Sequence, residues 1–338
     1  MKNLIYKRNV IIIIIIFIAV FLFALTAGSA NISLRDIFDI LINKITGNGR
    51  ENMKETIFFS IRIPRVIFSA TAGAGLAVVG LVYQSILKNS MADPFITGSS
   101  SGAALGAAVA IAFIPSAIGG NASFILIAFI FSAAATFFSW FIGIKNGKVN
   151  SETIVLTGVA VNFFSSSSVA MIMIFKREAL EKILFWTMGS FAYSNQKEIW
   201  ILFVITVAVA AIYMMFAREI DLIMSGDETA HTSGVDIFKV KMVLIGISAL
   251  LVAVLVTFSG IVGFAGLIIP HISNKFNGKK IKDNILFTMI LGAAFMMLCD
   301  SAARTMFAPM EVPIGVITAF LGAPYFVYLL KRRRNFNE

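Results

Sequence analysis

Charged side chains are scarce in this sequence. Asp, Glu, Lys and Arg supply 14% of its 338 residues, against about 25% in a soluble domain, and that deficit excludes a water-soluble single-core enzyme. Inside the apolar segments ionisable groups are scarcer still: apart from Asp300 and residues at the rims, those segments hold no Asp, Glu, Lys, Arg or His. A charge at the bilayer centre costs at least about 2.5 kcal/mol and is kept for ion or proton transfer, so their absence argues against an ion-coupled carrier. Cysteine is down to Cys299, which excludes an intrachain disulfide framework and a cysteine-rich metal centre and suits a buried, inert thiol. His231 and His271 stand apart from each other and from other ligand types, so no metal site is expected. A phosphate loop is missing too. The nearest run, GIKNGK at 143–148, has the wrong glycine spacing and Val149 where magnesium needs Ser or Thr. Energy for active transport therefore has to come from another subunit.

What the sequence has in excess is apolar surface: 58% hydrophobic residues and a mean hydropathy of +0.89. At roughly 20 residues per crossing, the apolar segments fall at 10–28, 65–87, 96–114, 122–144, 153–175, 198–217, 242–259, 261–273, 284–303 and 314–330. This predicts an all-α polytopic membrane protein of about ten transmembrane helices, a single transmembrane domain over 1–338. The first segment follows Lys2, Lys7 and Arg8, and Gly28, Ser29 and Ala30 resemble a signal-peptidase site. Its length of about 19 residues is long for a signal core and right for a span, so a retained helix is expected. Segment 261–273 is either a short span or a broken one entered through Gly260, Gly263 and Gly266. Leu34, Ile37, Phe38, Leu41, Ile42 and Ile45 recur at helical spacing behind Ser33, which reads as a helix lying on the membrane surface.

A net charge of +10 would suggest nucleic acid in a soluble protein. Here, with the N-terminus inside, most Lys and Arg fall on the cytoplasmic side, including the runs at 275–282 and 331–334. The excess is mainly the positive-inside signal, with a share for anionic lipid, and no nucleic-acid partner is expected.

The longest connection on that side, 218–241, reads as two short amphipathic pieces around a Ser-Gly turn, with Ser225 ahead of Asp227 and Glu228 as a helix start. It is either a docking element or a solvated connector. Gly73, Gly75 and Gly80 share one span, and Gly102 and Gly106 form a GxxxG in the next; such spacing lets helix backbones approach closely. Ser165, Ser166, Ser167 and Ser168 place consecutive hydroxyls in one span, either lining a path or bonding back to their own helix.

Four stretches carry a resemblance. The run RIPRVIFSATAGAGLAVVGLVYQSILKNSMADPFITGSSSGAALGA (62–107), LTGVAVN with FWTMGS (within 156–190), SGIVGFAGLIIPHI (259–272) and CDSAARTMFAPMEVPIGVITAFLGAPYFVYLL (299–330) resemble, in that order, the FecCD family of ABC importer permeases. These are the type II permeases for iron–siderophore, haem and cobalamin uptake. Ser90 departs from the Pro common at that position. The resemblance implies a homodimer in a bacterial or archaeal cytoplasmic membrane with both termini inside. It also implies two cytoplasmic ATPase subunits and an extracytoplasmic substrate-binding protein; ATP binds the partner ATPases, and the permease needs no cofactor and has no catalytic site. Coupling helices at about 221–236 would meet the ATPase, with Ser225, Gly226, Asp227, Glu228, His231, Gly234 and Val235 at the contact. Arg62, Arg65 and Arg304 would dock the binding protein by bidentate pairing with its carboxylates; the alternatives are interfacial anchoring for Arg62 and Arg65 and a pair with Asp300 one turn earlier for Arg304. Asn89, Ser90 and Met91 with Asn150, Ser151 and Glu152 would form the cytoplasmic gate. The implied cargo is an iron chelate, with cobalamin or molybdate as family alternatives; a secondary carrier without an ATPase and a non-transporting scaffold are the rival classes.

Overall fold

A computed structural model describes residues 2–28, 30, 32–46, 53–114, 116–145, 148–192 and 195–334. Ser29, Asn146 and Gly147, used above, lie outside them. The chain opens with α1 (Lys2–Thr26), the surface helix α2 (Leu34–Thr46) and the short α3 (Met53–Ile57), which runs through a π-turn at Phe58–Arg62 into α4 (Ile63–Ile86). Next come α5 (Ser99–Phe113), α6 (Ser116–Gly143), a two-residue hairpin of β1 (Ile144–Lys145) and β2 (Lys148–Val149), α7 (Ser151–Phe175) and α8 (Leu180–Thr187). The rest is α9 (Gln196–Met215), α10 (Ala217–Ser225), α11 (Asp227–Thr232), α12 (Ile237–Ser259), α13 (Ala265–Asn277), α14 (Ile281–Thr305) and α15 (Ile314–Arg334).

Each of the ten apolar segments forms a helix, but not all reach full span length. Seven helices among the described residues are long and apolar enough to cross a membrane, while Ser99–Phe113 and Ile314–Leu329 are shorter. Segment 261–273 is the broken kind. Gly260 and Phe264 both take positive φ (69° each), and α13 begins only at Ala265. Of the run at 143–148, the described residues end α6 at Gly143 and enter a strand pair, Ile144 opposite Val149 and Lys145 opposite Lys148.

Local signals explain the helix ends. Asn150 accepts the Thr153 N–H at 3.0 Å to start α7, and Asp236 accepts that of Lys239 at 3.1 Å to start α12. Ser33 does the same for α2, its Oγ accepting the Asp36 N–H at 3.1 Å while the Asp36 carboxylate accepts from Ser33 in return. The second span starts earlier than its sequence suggested. Pro64 looks like a start signal, but it stands in the first turn of α4, and the π-turn before it carries the helix back to Met53.

Helix α4 is the hub, with 89% of its apolar window buried against 17% for α7. Apolar side chains gain little by leaving lipid, so close backbone packing holds the bundle. The α4–α14 seam closes where Gly73 and Gly292 leave no room for a Cβ on either helix, and the α4–α13 seam closes at Gly80 against the Gly266 carbonyl. Helices α4 and α14 run antiparallel, so each end of the bundle carries one end of both.

Candidate functional site

At one end of the bundle stand Arg62, Arg65 and Arg304, all buried. Arg65 Nε donates to Asp300 Oδ1 at 2.9 Å, and its Nη1 donates to both Glu311 carboxylate oxygens at 3.0 and 2.8 Å. Arg304 Nε lies 3.0 Å from Asp300 Oδ2 as an ion pair, while its N–H is aligned on the Asp300 backbone carbonyl at 3.3 Å. The remaining donors close the end of α1. Arg62 Nη1 donates to Leu25 O and Thr26 O at 3.0 and 2.8 Å, and its Nη2 to Ala30 O at 2.7 Å. Arg304 reaches Ala27 O at 2.9 Å and Ala24 O at 3.2 Å. A helix C-terminus offers unpaired carbonyls and a partial negative charge, which is what a guanidinium satisfies. Removing the first segment would strip both guanidiniums of these acceptors.

All three arginines thus have partners within the chain, and the Arg304–Asp300 pair is the alternative that their i, i+4 spacing offered. Sequence position alone put Arg62 and Arg65 at the mouth of a span; the helix that continues back to Met53 instead turns them inward, onto α1 and α14. Of the three, only Arg65 is held by a carboxylate from an exposed loop, Glu311, a residue the sequence reading did not single out.

At the opposite end lie α10 and α11, which pack Ile220, Ile223 and Ala230 into the main core. Ser225 is not the start of α11. It closes α10, its Oγ donating to Asp221 O at 3.0 Å, and Gly226 (φ 145°) takes the N-cap position. Two ion contacts tie the element to the central helices. Lys88, in the turn that ends α4, donates to Asp227 Oδ1 at 2.6 Å, and that bond holds the Asp227 carboxyl below its usual value. Asp221 accepts the Ile281 N–H at 3.0 Å, capping α14, and burial raises its carboxyl above the usual value against that bond. A cavity of about 750 Å³ opens beside α11, lined among others by Val149, Asp227, His231, Gly234, Val235 and Lys241. Asp221 opens the expected coupling segment, but its bond to Ile281 leaves no local spacing, because it is a cap made across the fold.

Beside this end, Asn89 accepts the Met91 N–H at 2.9 Å, with Ser90 exposed between them. Asn150, Ser151 and Glu152 form the cap and first turn of α7. The described hydrogen bonds build each turn separately and do not join the two. The loop itself is fixed by Gln84, whose amide donates to Ala92 O, Gly266 O and Leu267 O at 3.2–3.3 Å, and by Asp93, which accepts the Phe95 N–H at 2.8 Å while burial pushes its carboxyl up to about 6.

The serine run of α7 divides. Ser165 is buried, Ser166 and Ser167 are exposed, and Ser168 bonds back to Phe164 O at 2.8 Å. Ser166 Oγ donates to Asn162 Oδ1 at 3.3 Å, making a small polar step on a face otherwise formed by exposed Phe163, Phe164, Ile174 and Phe175.

A bundle of apolar helices, with ion-paired elements at its two ends, defines a polytopic membrane protein. The chain belongs to the FecCD transport family, whose profile matches residues 15–332. It is similar to the cobalamin import system permease protein BtuC of Halobacterium salinarum, 35% identical over 281 residues that cover 82% of this chain and 74% of the relative. It is also similar to the molybdate import system permease protein MolB of Haemophilus influenzae, 33% identical over 314 residues covering 91% and 92%. A solved inward-facing structure assigned to the metal-chelate type of ABC transporter superposes with a TM-score of 0.82 at 27% identity, over 96% of this chain and 99% of that one. The fold is that of a type II ABC importer permease, and the chain is the permease subunit of such an importer.

Proposed function

We propose that this permease imports an iron chelate across the cytoplasmic membrane by alternating access, as a dimer of identical permease subunits. The α10–α11 end faces the cytoplasm and meets the ATPases; the arginine end faces outward and meets the binding protein; both termini are inside. One observation carries the reading: α10 and α11 are tied through Asp227 to the end of α4 and through Asp221 to the start of α14. A push from an ATPase on this element is therefore delivered to the two packed central helices. The exposed apolar face of α7 fits the second subunit, with Asn162 and Ser166 on the shared path. The basic runs at 275–282 and 331–334 support the orientation, and an iron chelate is the cargo most in keeping with the FecCD resemblance. In vesicles holding the permease, its ATPase and its binding protein, uptake of a labelled ferric siderophore is expected only with hydrolysable ATP. Uptake that persists with a hydrolysis-dead ATPase sinks the importer mechanism, and uptake of cobalamin or molybdate in its place moves the cargo within the family.

The Lys88–Asp227 pair gives a sharper test. Both side chains reach solvent, 37% of Lys88 and 59% of Asp227 being exposed, and such pairs contribute at most about 1 kcal/mol to stability, equivalent to roughly fivefold in an equilibrium. Lys88→Asp or Asp227→Lys alone is expected to lower transport per ATP hydrolysed by up to about fivefold, with the melting temperature nearly unchanged. The combined swap is expected to recover most of it. Equal coupling ratios in all three variants would remove the pair from the coupling route.

A further inference from the structure

Arg65 is held unequally on its two sides. Its Nε is fixed by Asp300, which is fully buried, whereas its Nη1 is held by Glu311, whose side chain is 42% exposed against 8% for Arg65. A strong guanidinium–carboxylate pair uses two parallel N–H···O bonds from different nitrogens. Glu311 instead places both oxygens on Nη1, at 3.0 and 2.8 Å, so it covers one corner of the fork. The loop that carries it is anchored at both ends, by Met306 N to Ala302 O at 3.0 Å and Ile314 N to Gly189 O at 3.1 Å, and between them by Met310 N to Phe307 O and Val312 N to Ala303 O, both 3.0 Å, so the exposed Glu311 side chain, more than the backbone, is free to swing away. Met306, Phe307 and Met310 in the same loop are exposed apolar side chains, where a free surface gains nothing from them and a protein interface would.

We propose that Glu311 is an internal stand-in for the binding protein's docking carboxylate. It holds Arg65 in the free permease and yields to an acidic side chain of the incoming partner. Met306, Phe307 and Met310 then pack against apolar surface around that acid. Exchanging one carboxylate for another never leaves the buried guanidinium unpaired, which is the costly state; only the Glu311 side chain has to move. The partner surface this fits is a lone carboxylate ringed by apolar side chains. The inference rests on the reading that Arg65 lies at the docking face.

The test uses the full permease–ATPase complex in lipid nanodiscs and the substrate-binding protein encoded with it. Glu311→Gln keeps the size and removes the competing charge, and it is expected to tighten binding roughly tenfold. Glu311→Asp, whose shorter arm reaches Arg65 less well, is expected to tighten it by less and covers a failure of the first variant to fold. Arg65→Gln is expected to weaken binding. If Arg65→Gln weakens binding while both Glu311 variants leave it unchanged or weaker, the stand-in role is overturned and the docking reading stands. If Arg65→Gln changes nothing, the docking reading falls and the stand-in falls with it.

Discussion

Replacing Asp300 by Asn is expected to destabilise the permease by about 3–5 kcal/mol, the cost of breaking a buried ion network by removing one partner. Asp300 is fully buried and stands between Arg65 of α4 and Arg304, one turn on in its own helix α14. An amide of the same size still accepts a hydrogen bond but supplies no charge. Two guanidiniums would then stay buried with Glu311 as their remaining acidic neighbour, on the Arg65 side only. The loss should appear as a lower melting temperature and loss of the monodisperse peak on size exclusion in detergent. The same physics gives a control. Replacing both Asp300 and Arg304 by Leu leaves one buried guanidinium in place of two, with Arg65 still held by Glu311, and is expected to recover part of the stability lost in Asp300→Asn, since apolar replacement of a buried charge together with its partner is often neutral or better. Recovery is expected to be incomplete, because Arg304 also caps Ala24 and Ala27 of α1. An Asp300→Asn protein that melts within about 1 kcal/mol of the parent would mean that Asp300 is neutral in the folded protein and the network is not ionic.

How much of this the sequence shows depends on distance along the chain. Periodicity and composition are local, and they locate the ten helical segments and the amphipathic helix behind Ser33. They overshoot where local chemistry has two readings. Ser225 fits an N-cap by type, yet Gly226 takes that position because the chain there needs a positive φ. Pro64 marks a helix start by rule, and the π-turn overrides it. The arginines illustrate a third limit. Their positions near segment ends and the i, i+4 spacing of Asp300 and Arg304 are plain, but the other partners lie far away: the α1 carbonyls for Arg62 and Arg304, and Asp300 and Glu311, 235 and 246 residues on, for Arg65. The partners of Asp221 and Gln84 escape for the same reason. A lone amide among the small residues of α4 was the visible signal for Gln84, since a polar group there needs a partner in the fold.

The glycines of α4 give the second large effect, and they separate packing from mere composition. Gly73, Gly75 and Gly80 look alike in the sequence, but their surroundings differ. A Cβ on Gly75 would meet Thr206 Oγ1, Leu255 Cδ1 and Leu251 Cδ2 at 3.4–3.6 Å, ordinary contacts with side-chain ends. A Cβ on Gly80 would overlap the backbone carbonyl of Gly266, which cannot rotate out of the way. That carbonyl also accepts from Gln84, and Gln84 in turn holds the Ala92 carbonyl of the loop after α4. Pushing Gly266 away therefore loosens the α4–α13 seam and releases the loop that the gate reading depends on. Gly80→Ala is expected to cost about 3 kcal/mol or more, the upper end of overpacking, and Gly75→Ala less than about 1 kcal/mol. Thermal unfolding and surface expression measure the contrast, and cysteine accessibility at Met91→Cys should rise in the Gly80→Ala background alone. Equal melting temperatures for the two alanine variants would show that α4 and α13 do not meet backbone to backbone at Gly80.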